Sequence, residues 1–131
     1  MKANELRIGN WVYDKTYTRC EVIYILPKEI GIKDVNGNII TPLDYIKPIP
    51  LTEEWLERFG FIGRVGKKEQ TYFEKENIMF PVKVRYWDGH YTFICGRYGR
   101  DVEYVHDFQN RCFALTGEEL NVTKKRIIVT L

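Results

Sequence analysis

Lys47–Phe61 reads Lys-Pro-Ile-Pro-Leu-Thr-Glu-Glu-Trp-Leu-Glu-Arg-Phe-Gly-Phe, and the rest of the chain is organised on either side of it. Pro48 and Pro50 fix their own φ and keep the preceding residues extended, so the chain enters straight. Thr52 can then cap a helix, and Gly60 can supply the left-handed conformation that ends one. A helix of about two turns is not stable alone in water. We therefore expect the helix to pack one side, formed by Trp55, Leu56 and Phe59, on a sheet. Its expected role is that of a scaffold, and the alternative is that it binds a partner.

Length, charge and hydropathy restrict the class of protein. The chain has 131 residues, enough to bury a core, and its formal charge of +2 gives only weak support for nucleic-acid binding. Its apolar runs are shorter than the ~18 residues that cross a bilayer. Its first residues lack the apolar segment of a signal peptide, and its 3 cysteines are far apart, which favours free thiols. We therefore expect a cytoplasmic protein without a membrane partner.

Residues 1–50 contain short strands separated by turn residues. Cys20–Leu26 is the strongest strand pattern, because its four central residues, Val22–Ile25, are all β-branched or aromatic. Asn36-Gly37 is typical of a type I′ hairpin between two further strands, and Pro42–Tyr45 suits a single 3₁₀ turn. This order of elements predicts a small antiparallel β-barrel, and its pattern resembles SH3-like barrels.

Residues 51–131 are predicted to combine the short connecting helix with an antiparallel sheet and a C-terminal helix. The clearest hairpin joins Val82–Trp87 to His90–Cys95 through Asp88-Gly89, a two-residue turn that fixes the register. In this register Trp87 pairs with His90. One side of the hairpin is the predicted core face: Val82, Val84, Tyr86, Tyr91, Phe93 and Cys95.

The C-terminal helix is predicted from about Val102 to Leu115, with Asp101 as its N-cap and Gly117 as its stop. At about 100° per residue one stripe of this helix faces the core: Tyr104, Val105, Phe108, Cys112 and Leu115. Together these patterns predict an α+β fold with two subdomains, residues 1–50 and 51–131.

Three further segments are given local predictions. Gly60–Lys68 is predicted to be a flexible basic surface loop, because its glycines follow a helix and match no phosphate-binding motif. Pro81 is predicted to mark a sheet edge or a bulge. Thr123–Leu131 ends in an apolar run that is expected to pair as a strand, within the molecule or with a neighbour.

The residue inventory argues against catalysis. The chain has no serine and only 2 histidines, His90 and His106, and no cysteine or histidine spacing matches a zinc site. His106 and Cys112 point about 120° apart on the predicted helix, which does not suit a catalytic pair. The neighbouring glutamates Glu53 and Glu54 fit the start of a helix better than general acid–base work. We therefore expect no enzymatic activity, no metal and no cofactor.

Two surfaces remain as candidates for binding. The first surface interleaves cations with aromatic rings: Lys83, Arg85, Trp87, His90, Arg97, Tyr98 and Arg100. It could bind single-stranded nucleic acid, by stacking the bases and neutralising the phosphates. The alternative is that it is the solvated face of a sheet. The second lies on the C-terminal helix and could contact a protein partner or pack against the first region: His106, Gln109, Asn110 and Phe113.

Three stretches, Met1–Asn10, Lys47–Leu56 and Tyr104–Leu120, resemble an uncharacterised family of short proteins from prophages and mobile elements of gut bacteria. The resemblance implies a mobile-element origin and supplies no catalytic residues. We therefore expect a non-enzymatic binding or adaptor module that acts through protein–protein contact. The alternative is a weak single-stranded nucleic-acid-binding protein.

Overall fold

The computed structural model describes residues 5–41, 46–75 and 82–122, and these residues form two antiparallel sheets and two α-helices. The predicted α+β class is therefore confirmed. The elements in chain order are β1 (Trp11–Tyr13), β2 (Arg19–Leu26), β3 (Glu29–Asp34), β4 (Ile39–Ile40), α1 (Glu53–Arg58), β5 (Ile62–Val65), β6 (Thr71–Glu74), β7 (Lys83–Trp87), β8 (His90–Cys95), β9 (Tyr98–Asp101) and α2 (Val105–Thr116). Three predictions lie outside the described residues: the turn at Pro42–Tyr45, the edge or bulge at Pro81 and the strand within Thr123–Leu131.

Contacts divide the chain into two units. The first contains Met1–Leu51 and Glu103–Arg111, and the second contains Thr52–Val102 and Cys112–Leu131. Because α2 contributes residues to both, the units do not correspond to a single cut in the sequence. The division into subdomains 1–50 and 51–131 stays a prediction.

In the first unit, β1 to β4 form an antiparallel sheet in chain order. Over the described residues β1 and β4 are its two edges, so the predicted closed, SH3-like barrel is not confirmed. Lys47 pairs with Tyr13 of β1 through an isolated antiparallel bridge, which keeps the segment before α1 extended, as Pro48 predicts. One core cluster of this unit consists of Leu6, Val12, Cys20, Val22 and Ile32.

The turn between β3 and β4 differs from the predicted type I′ turn, although the two strands pair as expected. Gly37 has a φ of +87°, but Asn36 lacks the positive φ that type I′ also requires at its first central residue. Asp34 Oδ1 accepts hydrogen bonds from the backbone N–H groups of Asn36 and Asn38, both at 2.9 Å. The carboxylate therefore organises a wider loop in place of the tight turn.

In the second unit, β5 to β9 form an antiparallel sheet in chain order. The predicted register of its central hairpin is confirmed, because Trp87 pairs with His90 across the turn. Asp88 and Gly89 both have positive φ, 51° and 79°, as a type I′ turn demands.

The predicted helix α1 is also confirmed. Thr52 Oγ1 accepts a hydrogen bond from the Trp55 N–H at 3.3 Å, and Gly60 after the helix has a φ of +90°. Trp55, Leu56 and Phe59 are all buried. Since α1 contacts β5 of the same unit, the helix is anchored on the sheet as its short length requires.

The prediction of a flexible loop over Gly60–Lys68 is wrong, because Ile62–Val65 is the edge strand β5. Gly63 pairs with Phe73 on β6, and a Cβ at Gly63 would come within 2.8 Å of Phe73 Cε1. The glycine therefore makes room for a buried aromatic ring, which supplies the packing that its own side chain lacks. A glycine-rich sequence gives no local sign of such long-range packing.

The predicted start of α2 at about Val102, with Asp101 as its N-cap, is also wrong. Tyr98–Asp101 is the strand β9, paired with β8, and α2 begins at Val105. Asp101 therefore belongs to a strand, where its carboxylate accepts a hydrogen bond from Thr92 Oγ1 at 3.0 Å, and it is not the helix cap. Gly117, with a φ of +74°, follows α2 as predicted.

Two predicted core positions are exposed. Tyr86 is 38% exposed and packs its ring against Tyr91 at 4.7 Å near the hairpin end of the sheet. Leu115 is 39% exposed in the last turn of α2, whereas Gln109 is only 1% exposed. The buried side of α2 is therefore broader and more polar than the predicted apolar stripe.

Candidate nucleic-acid interface

One face of the five-stranded sheet carries Trp87 and is called the Trp87 face here. Residues paired directly across antiparallel strands point to the same side, and alternate residues along a strand share a side. The register therefore assigns these members to it: Ile62, Arg64, Tyr72, Glu74, Lys83, Arg85, Trp87, His90, Thr92, Ile94 and Asp101. The other face of the same sheet carries the buried residues Phe73, Val84 and Phe93.

A row of paired residues crosses the Trp87 face. Arg64 pairs with Tyr72, Tyr72 with Arg85, and Arg85 with Thr92. Trp87 follows Arg85 on the same face of β7, and its side chain is 48% exposed. The sheet therefore places two guanidinium groups and two aromatic rings on neighbouring positions, which is an arrangement that can stack bases and neutralise phosphates.

Carboxylates neutralise one end of the Trp87 face more than the other. Lys83 Nζ lies 3.5 Å from Glu74 Oε1, so this end carries an ion pair. Within the described part of the chain, Arg64 and Arg85 form no ion pair with a carboxylate. The same row ends in the carboxylate of Asp101, which pairs with Thr92. The row beside Trp87 therefore carries two cations against one carboxylate and keeps a net positive charge.

The structure separates the seven residues predicted for a nucleic-acid surface. Lys83, Arg85, Trp87 and His90 lie together on the Trp87 face. Tyr98 and Arg100 belong to the opposite face, because they pair with Cys95 and Phe93, and the Tyr98 ring packs edge-on against Phe93 at 6.0 Å. Arg97 lies in the turn before β9. The predicted set is corrected accordingly: Tyr98 and Arg100 cannot act on the same face as Trp87.

Sequence reasoning missed two residues that the sheet adds to this face, Arg64 and Tyr72. Gln70–Glu74 can be recognised as a strand from its aromatic and β-branched residues, but its neighbour cannot be assigned from sequence. Arg64 falls in the segment predicted as a loop, Gly60–Lys68. Only the pairing of β6 with β7 brings Tyr72 next to Arg85, and only the pairing of β5 with β6 adds Arg64 to the same row.

The amides of the second predicted surface hold the first unit together. Gln109 Oε1 accepts a hydrogen bond from the Trp11 N–H at 2.9 Å, and Gln109 Nε2 donates one to the Gly9 carbonyl at 2.9 Å. Asn110 Oδ1 accepts a hydrogen bond from Asn10 Nδ2 at 2.8 Å. These contacts favour the alternative reading, in which this side of α2 packs inside the molecule. Phe113 remains exposed, at 36%.

His106 of the same predicted surface is buried, with 6% of its surface exposed. Its ring stacks on Tyr104 at 6.0 Å, and Nδ1 has no hydrogen-bond partner among the described residues. Burial lowers the pKa of His106, although the negative charges of Asp107 and Glu5 oppose that shift. The imidazole is therefore held neutral inside the fold and is not presented to a partner.

The two buried thiols, those of Cys20 and Cys112, are not activated as nucleophiles. Burial raises the pKa of Cys20 to about 11 and that of Cys112 to about 12, so both remain protonated near neutral pH. In the ranges that the structure describes, no group of three or more histidine, cysteine or acidic residues could hold a metal ion. No described helix is both long enough and apolar enough to span a membrane.

A comparison with protein-family models gives no match for this chain. Searches among curated proteins and among solved structures give no match either. The function of the chain must therefore be inferred from the geometry and charge of the residues described above.

Proposed function

We propose that this chain is a non-enzymatic module that binds single-stranded nucleic acid on the Trp87 face. The observation that carries the proposal is the half-exposed indole of Trp87, which follows Arg85 on the same face of β7, with Arg64 two strands away in the row of Arg85. Neither arginine has an ion-pair partner among the described residues. Aromatic rings stack unpaired bases regardless of sequence, and cations beside them contact the phosphates. Tyr72, between the two arginines in the register, adds a second ring.

Single strands fit this surface better than a duplex does. A sheet face with an exposed ring can reach bases that are splayed out, whereas bases within a duplex are stacked on one another. The formal charge of +2 is small for a protein that binds duplex DNA mainly through phosphates. Binding should therefore combine stacking with a few phosphate contacts, and the affinity should be modest.

Fluorescence anisotropy with a short labelled single strand, and with its duplex as comparison, tests this function. Trp87→Ala should weaken binding by ~1–3 kcal/mol, the usual loss for one stacked base. Tyr17→Ala is a matched control, because Tyr17 is an exposed ring, at 63%, in the first unit. Equal affinity of the wild type and Trp87→Ala for the single strand would refute the proposal.

Protein–protein contact is the second candidate, and the edge strand β5 is the feature that favours it. All four residues of β5 are exposed, with Ile62 at 56% and Val65 at 84%. An extended segment of a partner could add to this edge as a further strand. Either function would suit the mobile-element origin that the family resemblance implies.

Val65→Pro gives a direct test of partner addition at β5. Gly66 N–H donates to the Gln70 carbonyl at 2.6 Å, so by the alternation of antiparallel ladders the N–H of Val65 points away from β6. Proline removes that outward donor without removing a bond to β6. A partner bound by the wild type and by Val65→Thr should be lost from Val65→Pro; equal capture by all three would exclude β5 as the contact.

A further inference from the structure

The hairpin tip that joins β5 to β6, Gly66–Gln70, lies next to the Trp87 face in sequence and in space. It directly follows Arg64-Val65 and leads into Thr71-Tyr72. Lys67 and Lys68 within it are exposed, and within the described residues neither forms an ion pair. The tip therefore adds two cations and one carboxylate, Glu69, beside the row of Arg64 and Arg85.

Contacts with Tyr72 fix the tip. The Tyr72 hydroxyl donates a hydrogen bond to Gln70 Oε1 at 2.7 Å. The backbone of Gly66 lies against the same ring, since a Cβ there would come within 2.9 Å of Tyr72 Cε2. Gly66 N–H also closes the turn by donating to the Gln70 carbonyl at 2.6 Å. The two lysines are therefore carried on a turn whose position is tied to a residue of the Trp87 face.

The tip also contains unusual backbone. Lys68 and Glu69 both adopt left-handed φ, 56° and 62°, which is disfavoured for residues with a Cβ. Such residues persist where the surrounding contacts determine the conformation, and they concentrate at ligand-binding sites. Neither position is a glycine or an asparagine, the residues that adopt this conformation at least cost, so the surrounding contacts must hold the backbone of Lys68 and Glu69 in it.

We infer that Lys67 and Lys68 are the phosphate-binding part of the nucleic-acid site, contacting the backbone of the strand whose base stacks on Trp87. This inference rests on the proposed function. Four cations, Arg64, Lys67, Lys68 and Arg85, lie at this end of the sheet, against three carboxylates, those of Glu69, of Asp88 in the neighbouring hairpin and of Asp101 in the row of Arg85, which leaves one net positive charge. The other end of the face is neutralised by the ion pair between Lys83 and Glu74. The strand should therefore cross the sheet at the hairpin end.

The double variant Lys67→Asn/Lys68→Asn tests the inference, because asparagine tolerates the left-handed conformation and preserves the turn. Its control is Lys15→Asn/Lys28→Asn, which removes the same charge from two exposed turn lysines of the first unit. Anisotropy is measured from low to high salt with single-stranded DNA and with RNA of the same sequence. Circular dichroism checks that each variant is folded.

Each phosphate contact of a single strand contributes about 0.7 to the slope of log K against log salt. The tip variant should therefore have a slope shallower by about 1.4 and bind about 25-fold more weakly at about 0.1 M salt. The control variant should bind like the wild type. Because the expected contact is to phosphate, the tip variant should lose as much affinity for DNA as for RNA. A wild-type slope in the tip variant overturns the inference while the Trp87 face still binds. Absence of any binding by the wild type overturns the proposed function and the inference with it.

Discussion

The ring of Tyr24 lies across Gly31, its direct neighbour on the antiparallel strand. A Cβ on Gly31 would come within 1.9 Å of Tyr24 Cε2. The ring is held in place because its hydroxyl donates a hydrogen bond to Glu29 Oε2 at 3.0 Å. Phe73 covers Gly63 in the second sheet in the same way. In both sheets a cross-strand ring thus supplies the packing that a strand glycine lacks.

Gly31→Ala should destabilise the protein. The new methyl group must displace the Tyr24 ring, and overpacking of this kind costs ~1–3 kcal/mol. Gly99→Ala is the control, because Gly99 also lies in a strand but has no heavy atom within 4 Å of its Cβ position; it should change the free energy of unfolding by less than ~0.5 kcal/mol. Urea unfolding followed by circular dichroism measures both. Equal losses for the two variants would contradict the covering role of Tyr24.

These glycine–aromatic pairs explain which parts of the fold could be predicted from sequence. The register of Trp87 with His90 is local, because a two-residue turn determines it. The strand β5 is not determined locally, because Ile-Gly-Arg-Val has no alternating pattern of apolar and polar residues. The packing that Gly63 lacks is supplied by the ring of Phe73, ten residues later in the chain. Helix α1 carries its own cap and stop and was predicted correctly.

The residues of the candidate site also differ in whether local sequence predicts their position. Lys83, Arg85 and Trp87 alternate along one strand, so their common face follows from local periodicity. Arg64 and Tyr72 reach that face only through the pairing of three strands. The partners of Gln109 are 98 and 100 residues away in the chain, a distance over which periodicity carries no information.

Trp55→Ala should destabilise the protein by ~3–5 kcal/mol, as truncation of a buried aromatic does. The Trp55 side chain is 4% exposed, its ring lies 5.8 Å from that of Phe59, and the Arg58 guanidinium lies 4.7 Å from its centroid. Trp87→Ala is the matched control, and its exposed ring predicts a loss below ~1 kcal/mol. Urea unfolding of the two variants gives the comparison. A small loss for Trp55→Ala would restore the hypothesis that α1 binds a partner.

Gln109→Leu should destabilise the protein by ~2–4 kcal/mol. Leucine preserves the volume but leaves the Trp11 N–H and the Gly9 carbonyl without their partners, and each buried unsatisfied group costs ~1–3 kcal/mol. Asn38→Ala is a control of the same chemical type, because the amide of Asn38 is exposed and water can replace it. Thermal unfolding monitored by circular dichroism ranks the variants. A Gln109→Leu protein as stable as the wild type would mean that α2 does not need these bonds, which would reopen this surface for a partner.

Stability should fall as the pH drops through about 6.5, the pKa of an unperturbed histidine, and His106 should be responsible. Burial lowers the pKa of His106 in the folded chain, so between the folded and unfolded pKa values the unfolded chain binds more protons and stability rises with pH. His106→Phe fills the same buried site with a ring that does not titrate, and its free energy of unfolding should be nearly constant across this window. His90→Phe removes the other histidine, which is exposed, and should keep the wild-type dependence. Urea unfolding at several pH values between about 5 and 8 measures all three proteins. If His106→Phe lost stability on acidification as steeply as the wild type, another group would have to be the source of the pH dependence.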